Sequence, residues 1–234
     1  MILYVNGDSH AAAAEAVNPY GFACDDSQYY YLGQRPHPDN LAVSWGKKLA
    51  DMLDRKLNCH AQAGSSNDFI IRTTQDFIHQ FGDQRHNWFM VIQWSTWERE
   101  EWLHDGVYYQ IGASGMDSVP EQLHQRYRQY ILDVDWATVT NAMHEKIINF
   151  HEWLEENQIP HVFFNGNNHF ESIKNRYDWG TSYIDPYNPK MTYDAILKIH
   201  KFQPLGTNSY HYGKEAHSFW AKYMLKYITD NKLL

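Results

Sequence analysis

Cysteine is nearly missing from this chain of 234 residues. Cys24 and Cys59 allow one bridge at most, exclude a disulfide framework and suit a reducing compartment. No run approaches the ~18–20 apolar residues that a membrane span needs. The opening Met1-Ile2-Leu3-Tyr4-Val5-Asn6 has no basic segment and no leader-length apolar stretch. The expectation is a soluble protein, cytoplasmic as synthesised, with no membrane partner. Positive charge is also scarce. Lys plus Arg is 20 against 28 Asp plus Glu, a formal charge of −8, which argues against a nucleic-acid partner because such binding neutralises phosphates. There is no Walker-type loop and no G-x-G-x-x-G. His211 and His217 lie six apart, unlike the i, i+4 pair of a zinc helix, so no metal is expected.

Aromatic residues are plentiful: 9 Trp, 17 Tyr and 11 Phe, 16% of the chain, beside 14 His. Such an excess serves either a bulky core or a ligand surface with planar faces. With 43% hydrophobic and 21% charged residues the composition is globular, and the length suits one large domain. No internal repeat or low-complexity linker divides it.

The periodicities give strands alternating with helices. Ile2 to Val5 reads as a strand, Asn6-Gly7-Asp8 as a turn and Ala11 to Val17 as a helix. Residues 18–39 read as a long loop. Leu41, Trp45, Leu49, Leu53 and Leu57 recur every four residues, which predicts one helix from Asp39 or Asn40 to about Leu57. Leu57 to Gln62 is a weak strand. Ser66 or Asn67 caps a helix ending at Gly82, and Trp88 to Trp94 is a buried strand. Residues 95–119 read as irregular, with a short strand or hairpin at Val107 to Ile111. Helices follow at Glu121 to Leu132, Asp135 to Asn157, Thr192 to Lys201 and Lys214 to Thr229, and a strand at His161 to Phe164. Alternation of this kind predicts βαβ units around a parallel sheet. Ligands of such sheets sit beyond the carboxyl ends of the strands.

That rule selects a few segments. Gly7-Asp8-Ser9-His10 puts a serine on a sharp turn after the first strand, where its hydroxyl is exposed and its N–H can meet an oxyanion. Gly64, just past the second strand, lets backbone approach a substrate oxygen. Asn208-Ser209-Tyr210-His211 precedes the last helix and can bring an imidazole back over the sheet edge. Trp94, Trp97, Glu98, Arg99, Glu100, Glu101 and Trp102 mix indole platforms with charges, a combination that suits polyhydroxylated ligands. The aromatic stretches Tyr29-Tyr30-Tyr31 and Tyr177-Asp178-Trp179 read as loops over the same face.

In this order, the blocks resemble the SGNH (GDSL-type) hydrolase superfamily of esterases, lipases and carbohydrate deacetylases. The resemblance spans 1–234 as one domain with insertions at about 18–39, 95–134 and 165–210. It implies a flavodoxin-like three-layer α/β/α sandwich with a central parallel sheet. It implies Ser9 as nucleophile, His211 as base and Asn208 as the residue orienting His211. Ser9, Gly64, Ser95 and Trp97 would hold the oxyanion, with Thr96 as another donor. Asp8, His10, Asn67, Trp94, Thr96 and Arg99 would line the substrate. No cofactor is implied.

Two departures matter. Ser95 and Trp97 stand where the third block has Gly and an oxyanion Asn. Asn208 stands where the last block has its Asp. An Asn orients an imidazole without stabilising its charge, and Asp→Asn in a serine protease cost about 10⁴ in rate. The expected activity is removal of an O-acyl group, most simply acetyl, from a carbohydrate. The partner is then a small-molecule or glycan ester, with homo-oligomerisation open. The alternative is a catalytically weakened protein of this fold that binds carbohydrate or serves in an assembly.

Overall fold

The computed structural model describes residues 1–17, 36–82, 87–113, 115–116, 119–207 and 209–234. Most of the first insertion, with Cys24 and Tyr29 to Tyr31, lies outside these residues, and so does Asn208.

Four strands form one parallel sheet: β1 (Ile2–Asn6), β2 (Lys56–Cys59), β3 (Trp88–Trp94) and β6 (His161–Asn165). Their order is β2-β1-β3-β6. Register pairs Leu3 with Leu57 and Phe89, and Met90 with His161. Period-two alternation divides the core into two layers. Leu3, Val5, Phe89, Val91, Val162 and Phe164 face α2 (Trp45–Met52), α6 (Tyr193–Ile199) and α7 (Lys214–Asp230). Tyr4, Met90, Ile92 and Phe163 face α3 (Asn67–Phe81) and α5 (Trp136–Glu156). This is the flavodoxin-like three-layer sandwich the sequence predicts. No described helix is long and apolar enough to cross a membrane.

Local physics sets the differences from expectation. The single helix over 40–57 is two, α1 (Pro38–Val43) and α2. Ser44 leaves helical space at ψ 153°, and its hydroxyl accepts from Lys47 N–H to cap α2. Capping by the hydroxyl competes with continued winding. The helix expected over 11–17 does not form. One α-type bond, Ala12 N–H to Asp8 C=O, begins it, but Ala13 (φ 52°) and Glu15 (φ 63°) are left-handed. Each costs about 1–2 kcal/mol for an L-residue. Ala11 to Ala14 are fully buried, so packing overrides helix propensity here.

The second insertion is more regular than expected. Strands β4 (Glu100–His104) and β5 (Val107–Ile111) form an antiparallel hairpin closed by Asp105-Gly106, both at positive φ. That is the backbone an Asp-Gly loop supplies. With α4 (His124–Asp133) it encloses a small core of Trp102, Ile111, Val119 and Tyr127. Arg72 of α3 clamps Glu101 in a bidentate pair at 2.8 and 2.7 Å. In the third insertion, Ser182 and Ile184 hydrogen-bond Phe163 along the outer edge of β6. Trp179, read as part of a loop over the ligand face, is therefore a core residue, as are Tyr183 and Tyr187.

Candidate active site

The chain leaves β1 for β2 on one side and returns to β3 on the other. The carboxyl end of β1 is thus the topological switch point of the sheet, where such folds open a crevice. Ser9 stands three residues beyond β1. Asn6 fixes the end of that strand. Its amide donates to Ile70 C=O and to the hydroxyls of Tyr4, Thr73 and Thr74, and its Oδ1 accepts from Gly7 N–H at 2.8 Å. Gly7 is needed for close approach. A Cβ there would lie 2.8 Å from Ala11 Cβ and 2.9 Å from Gln93 Cβ.

Ser9 is 9% exposed. Among the described residues its hydroxyl makes no hydrogen bond, to His211 or to any other group. The loop after β2 is laced onto the same turn. Gln62 N–H and Ser65 Oγ–H both donate to Gly7 C=O, at 3.1 and 3.0 Å. Gly64 sits at the exposed tip of that loop with φ 77° and open space around it. This left-handed backbone favours glycine. No hydrogen bond within the described residues occupies the N–H of Ser9 or of Gly64.

On the β3 side lies a polar cluster centred on Asp8, which is 2% exposed, and within it Gln93 Oε1 has no partner among the described residues. Its carboxylate accepts from His10 N–H (2.9 Å), Gln93 Nε2 (2.7 Å) and Ser95 Oγ (3.1 Å), and pairs with Arg99 Nη1 at 3.5 Å. Burial alone would raise this carboxyl. The charges of His10 and Arg99, with the hydrogen bonds, outweigh it and hold Asp8 below the ordinary carboxylate range. Arg99 Nη1 also donates to Ser95 Oγ at 2.9 Å. Asn67 Oδ1 accepts from Ser95 N–H at 2.8 Å, and its amide reaches the carbonyls of Ser95 and Thr96.

These contacts correct several expectations. Ser95 has its N–H committed to Asn67 and its hydroxyl to Asp8, so it has no free donor for an oxyanion. Asp8 and Asn67 join loops rather than face a substrate. Trp94 is fully buried between Phe150 and Phe163. Trp97, 3% exposed, stacks on Phe170 at 4.7 Å. Its buried indole N–H lacks a partner but belongs to the α3/α5 core layer. Neither indole offers a face to a sugar. Thr96 keeps a buried hydroxyl with no partner, and half-buried Arg99 borders the cluster.

The other side of the turn is less saturated. An antiparallel bridge pairs Pro204 with Tyr212, and Leu205 N–H donates to His211 C=O at 2.9 Å. This pairing carries His211 to within 5.6 Å of the His10 ring, edge on. His10 is buried behind it, beside Tyr193 and Tyr212. Burial lowers the His10 pKa and Asp8 opposes this. His217, fully buried on α7, accepts from Trp45 N–H through Nδ1, and burial pushes it down to about 3.

His211 Nδ1 approaches Glu15 Oε2 at 3.1 Å, off the line of an ideal hydrogen bond, and this nitrogen has no other partner among the described residues. The same carboxylate oxygen accepts from Ser209 Oγ–H at 2.7 Å, and Ser209 Oγ accepts from His211 N–H at 3.0 Å. Burial would raise the Glu15 carboxyl, but the Ser209 hydroxyl and His211 bring it below its ordinary value. The sequence reading missed Glu15, since it placed this residue on a regular helix. Asn208, the expected partner of His211, lies outside the described residues.

No family model matches the sequence, and no curated protein matches it. Among solved structures the chain is similar to a G-D-S-L-family protein from Desulfitobacterium hafniense, with 13% identity, full coverage of both chains and a TM-score of 0.42. It is also similar to an acetyl xylan esterase from Butyrivibrio proteoclasticus, at 12% identity and TM-score 0.46 over 97% of this chain and 63% of that one. A carbohydrate esterase family 2 enzyme from Corynascus thermopiles, which carries a carbohydrate-binding domain, gives 12% identity and TM-score 0.45 over 98% and 65%. This chain thus spans less than two thirds of either esterase chain.

Proposed function

We propose that this protein hydrolyses esters, with Ser9 as nucleophile and His211 as general base and then acid. One observation carries the reading. At the switch point of the sheet, an unbonded serine hydroxyl shares a turn with His10, and the His211 ring packs on His10 at 5.6 Å. The free N–H groups of Ser9 and Gly64 supply oxyanion donors there, with the Thr96 hydroxyl as a third. In the reaction Ser9 Oγ attacks the carbonyl carbon and His211 Nε2 takes its proton. The C–O bond to the alcohol breaks as Nε2 returns the proton to the departing oxygen. Water attacks the acyl-enzyme through the same base and frees Ser9. The residues named need no metal or cofactor for these steps.

The narrower reading is an O-acetylated carbohydrate. With Trp94 in the core, its support is a hollow of about 300 Å³ whose lining includes the buried Trp97 with Glu98, Glu100, Trp102, Arg126 and Tyr130. Carboxylates and a guanidinium beside an indole suit hydroxyl recognition. The hydrolase reading is tested by serine-directed phosphonate labelling and aryl-acetate turnover. Label on Ser9, with turnover abolished in Ser9→Ala, is the expected result. Equal turnover in wild type and Ser9→Ala would overturn it. Sugar binding without turnover, unchanged in Ser9→Ala, would establish a binding protein instead.

A further inference from the structure

We propose that Glu15 is the carboxylate that positions His211, the role that the last sequence block gives to Asn208. The proposal rests on the Ser9–His211 reading and adds a residue that no sequence block contains. Three observations carry it. The 3.1 Å approach of Nδ1 to Glu15 Oε2 leaves that nitrogen with no other described partner. Glu15 is itself held in place, because Ser209 donates to Oε2 while accepting from the backbone of His211. Both residues of the pair therefore hang on one hydroxyl. Finally, the chain from Ser9 to Glu15 abandons the helix its alanines favour and takes left-handed backbone at Ala13 and at Glu15 itself. Sparsely populated backbone of this kind persists where surrounding structure over-determines it, and it clusters at functional sites.

The consequence is a tautomer. A carboxylate facing Nδ1 keeps the proton on that nitrogen and leaves Nε2 unprotonated, the form that can take a proton from a serine. The proton path then runs from Ser9 Oγ to Nε2 and on to the leaving alcohol, while Glu15 keeps accepting from Nδ1–H and stabilises the transient imidazolium. Glu15 is thus a positioning residue. It comes from the nucleophile's own turn, six residues after Ser9, and not from the segment before α7.

The test uses the full chain in two measurements. The first is steady-state aryl-acetate hydrolysis by wild type, Glu15→Gln, Glu15→Asp and Asn208→Ala. Glu15→Gln should lower kcat about 10²- to 10⁴-fold with KM nearly unchanged, Glu15→Asp should retain more, and Asn208→Ala should stay within about threefold of wild type. The second is nitrogen-resolved NMR of the His211 ring without substrate. The Nδ1–H resonance should be present in wild type and Asn208→Ala, and lost in Glu15→Ala. Loss of that resonance in Asn208→Ala with retention in Glu15→Ala would overturn the proposal. So would full activity in Glu15→Gln. If wild type itself turns over no ester, the hydrolase reading fails, and the resonance alone decides whether Glu15 holds His211.

Discussion

The two sides of the Ser9 turn are built on opposite principles. Toward β3, Asp8 is buried and every oxygen of its carboxylate is occupied, by Gln93, Ser95, Arg99 and the His10 N–H. Toward α7, Glu15 and His211 are each partly exposed, and Nδ1 meets its carboxylate off axis. A buried carboxylate with both oxygens bonded fixes geometry, since any loss leaves a buried charge unpaired. A half-open one keeps donors and acceptors for chemistry. On the proposed mechanism the turn is clamped on one side and reactive on the other: the aspartate beside the serine serves as a structural clamp, and the glutamate further along serves the chemistry.

Asp8→Ala breaks the clamped side and has the largest expected effect on stability. Arg99, Gln93 and Ser95 lose a shared acceptor in a buried site, at a cost of about 3 kcal/mol. Urea denaturation should show the midpoint falling with an unchanged slope. A loss below about 1 kcal/mol would mean that the cluster is not a clamp.

Acid is the next lever. Burial lowers His161 to about 4 and His217 to about 3, both from 6.5. A histidine depressed in the folded chain contributes stability that is full above the unfolded value and lost as pH falls towards the folded one. The urea midpoint should therefore drop as pH falls from 6.5 to 4. Asp8 and Glu15, both lowered, follow the same sign further down, each losing its contribution as pH falls through its folded value. A flat midpoint from pH 6.5 to 4 would contradict burial of these two imidazoles in neutral form.

The smallest effect on stability belongs to the reactive side. Glu15→Gln removes a partly exposed charge facing one imidazole and one hydroxyl, which should change stability by less than about 1 kcal/mol. Thermal denaturation measures it. The contrast sharpens if this variant keeps its fold while its turnover collapses, and it breaks if Glu15→Gln costs as much stability as Asp8→Ala.

Much of this was legible in residue order. The α3 stripe with Ser66 as cap, the buried run Trp88–Trp94, the Asp135 cap and the closing helix all form where periodicity and capping place them. Local signals explain these successes, because a cap or an apolar period acts within one turn. The β4 strand was missed although Asp105-Gly106 is a strong hairpin signal between alternating residues. The failures share a cause. Trp94, Trp97 and Trp179 read equally well as ligand platforms or as core, since an aromatic side chain carries no mark of which face it will meet. Glu15 was read as one more helical position because five of the six residues from Ala11 to Ala16 are alanine.

The sequence by itself determined most of the elements, their alternation and the parallel three-layer architecture, because these follow from local propensity and hydrophobic period. It also determined which strand end carries a serine between aspartate and histidine. Only the tertiary structure decided which carboxylate clamps and which one meets the imidazole. Asp8 meets Arg99 across 91 residues and Glu15 meets Ser209 across 194. Contacts at that separation are set by how the sheet and its crossings close. The left-handed backbone at Glu15 accompanies that closure.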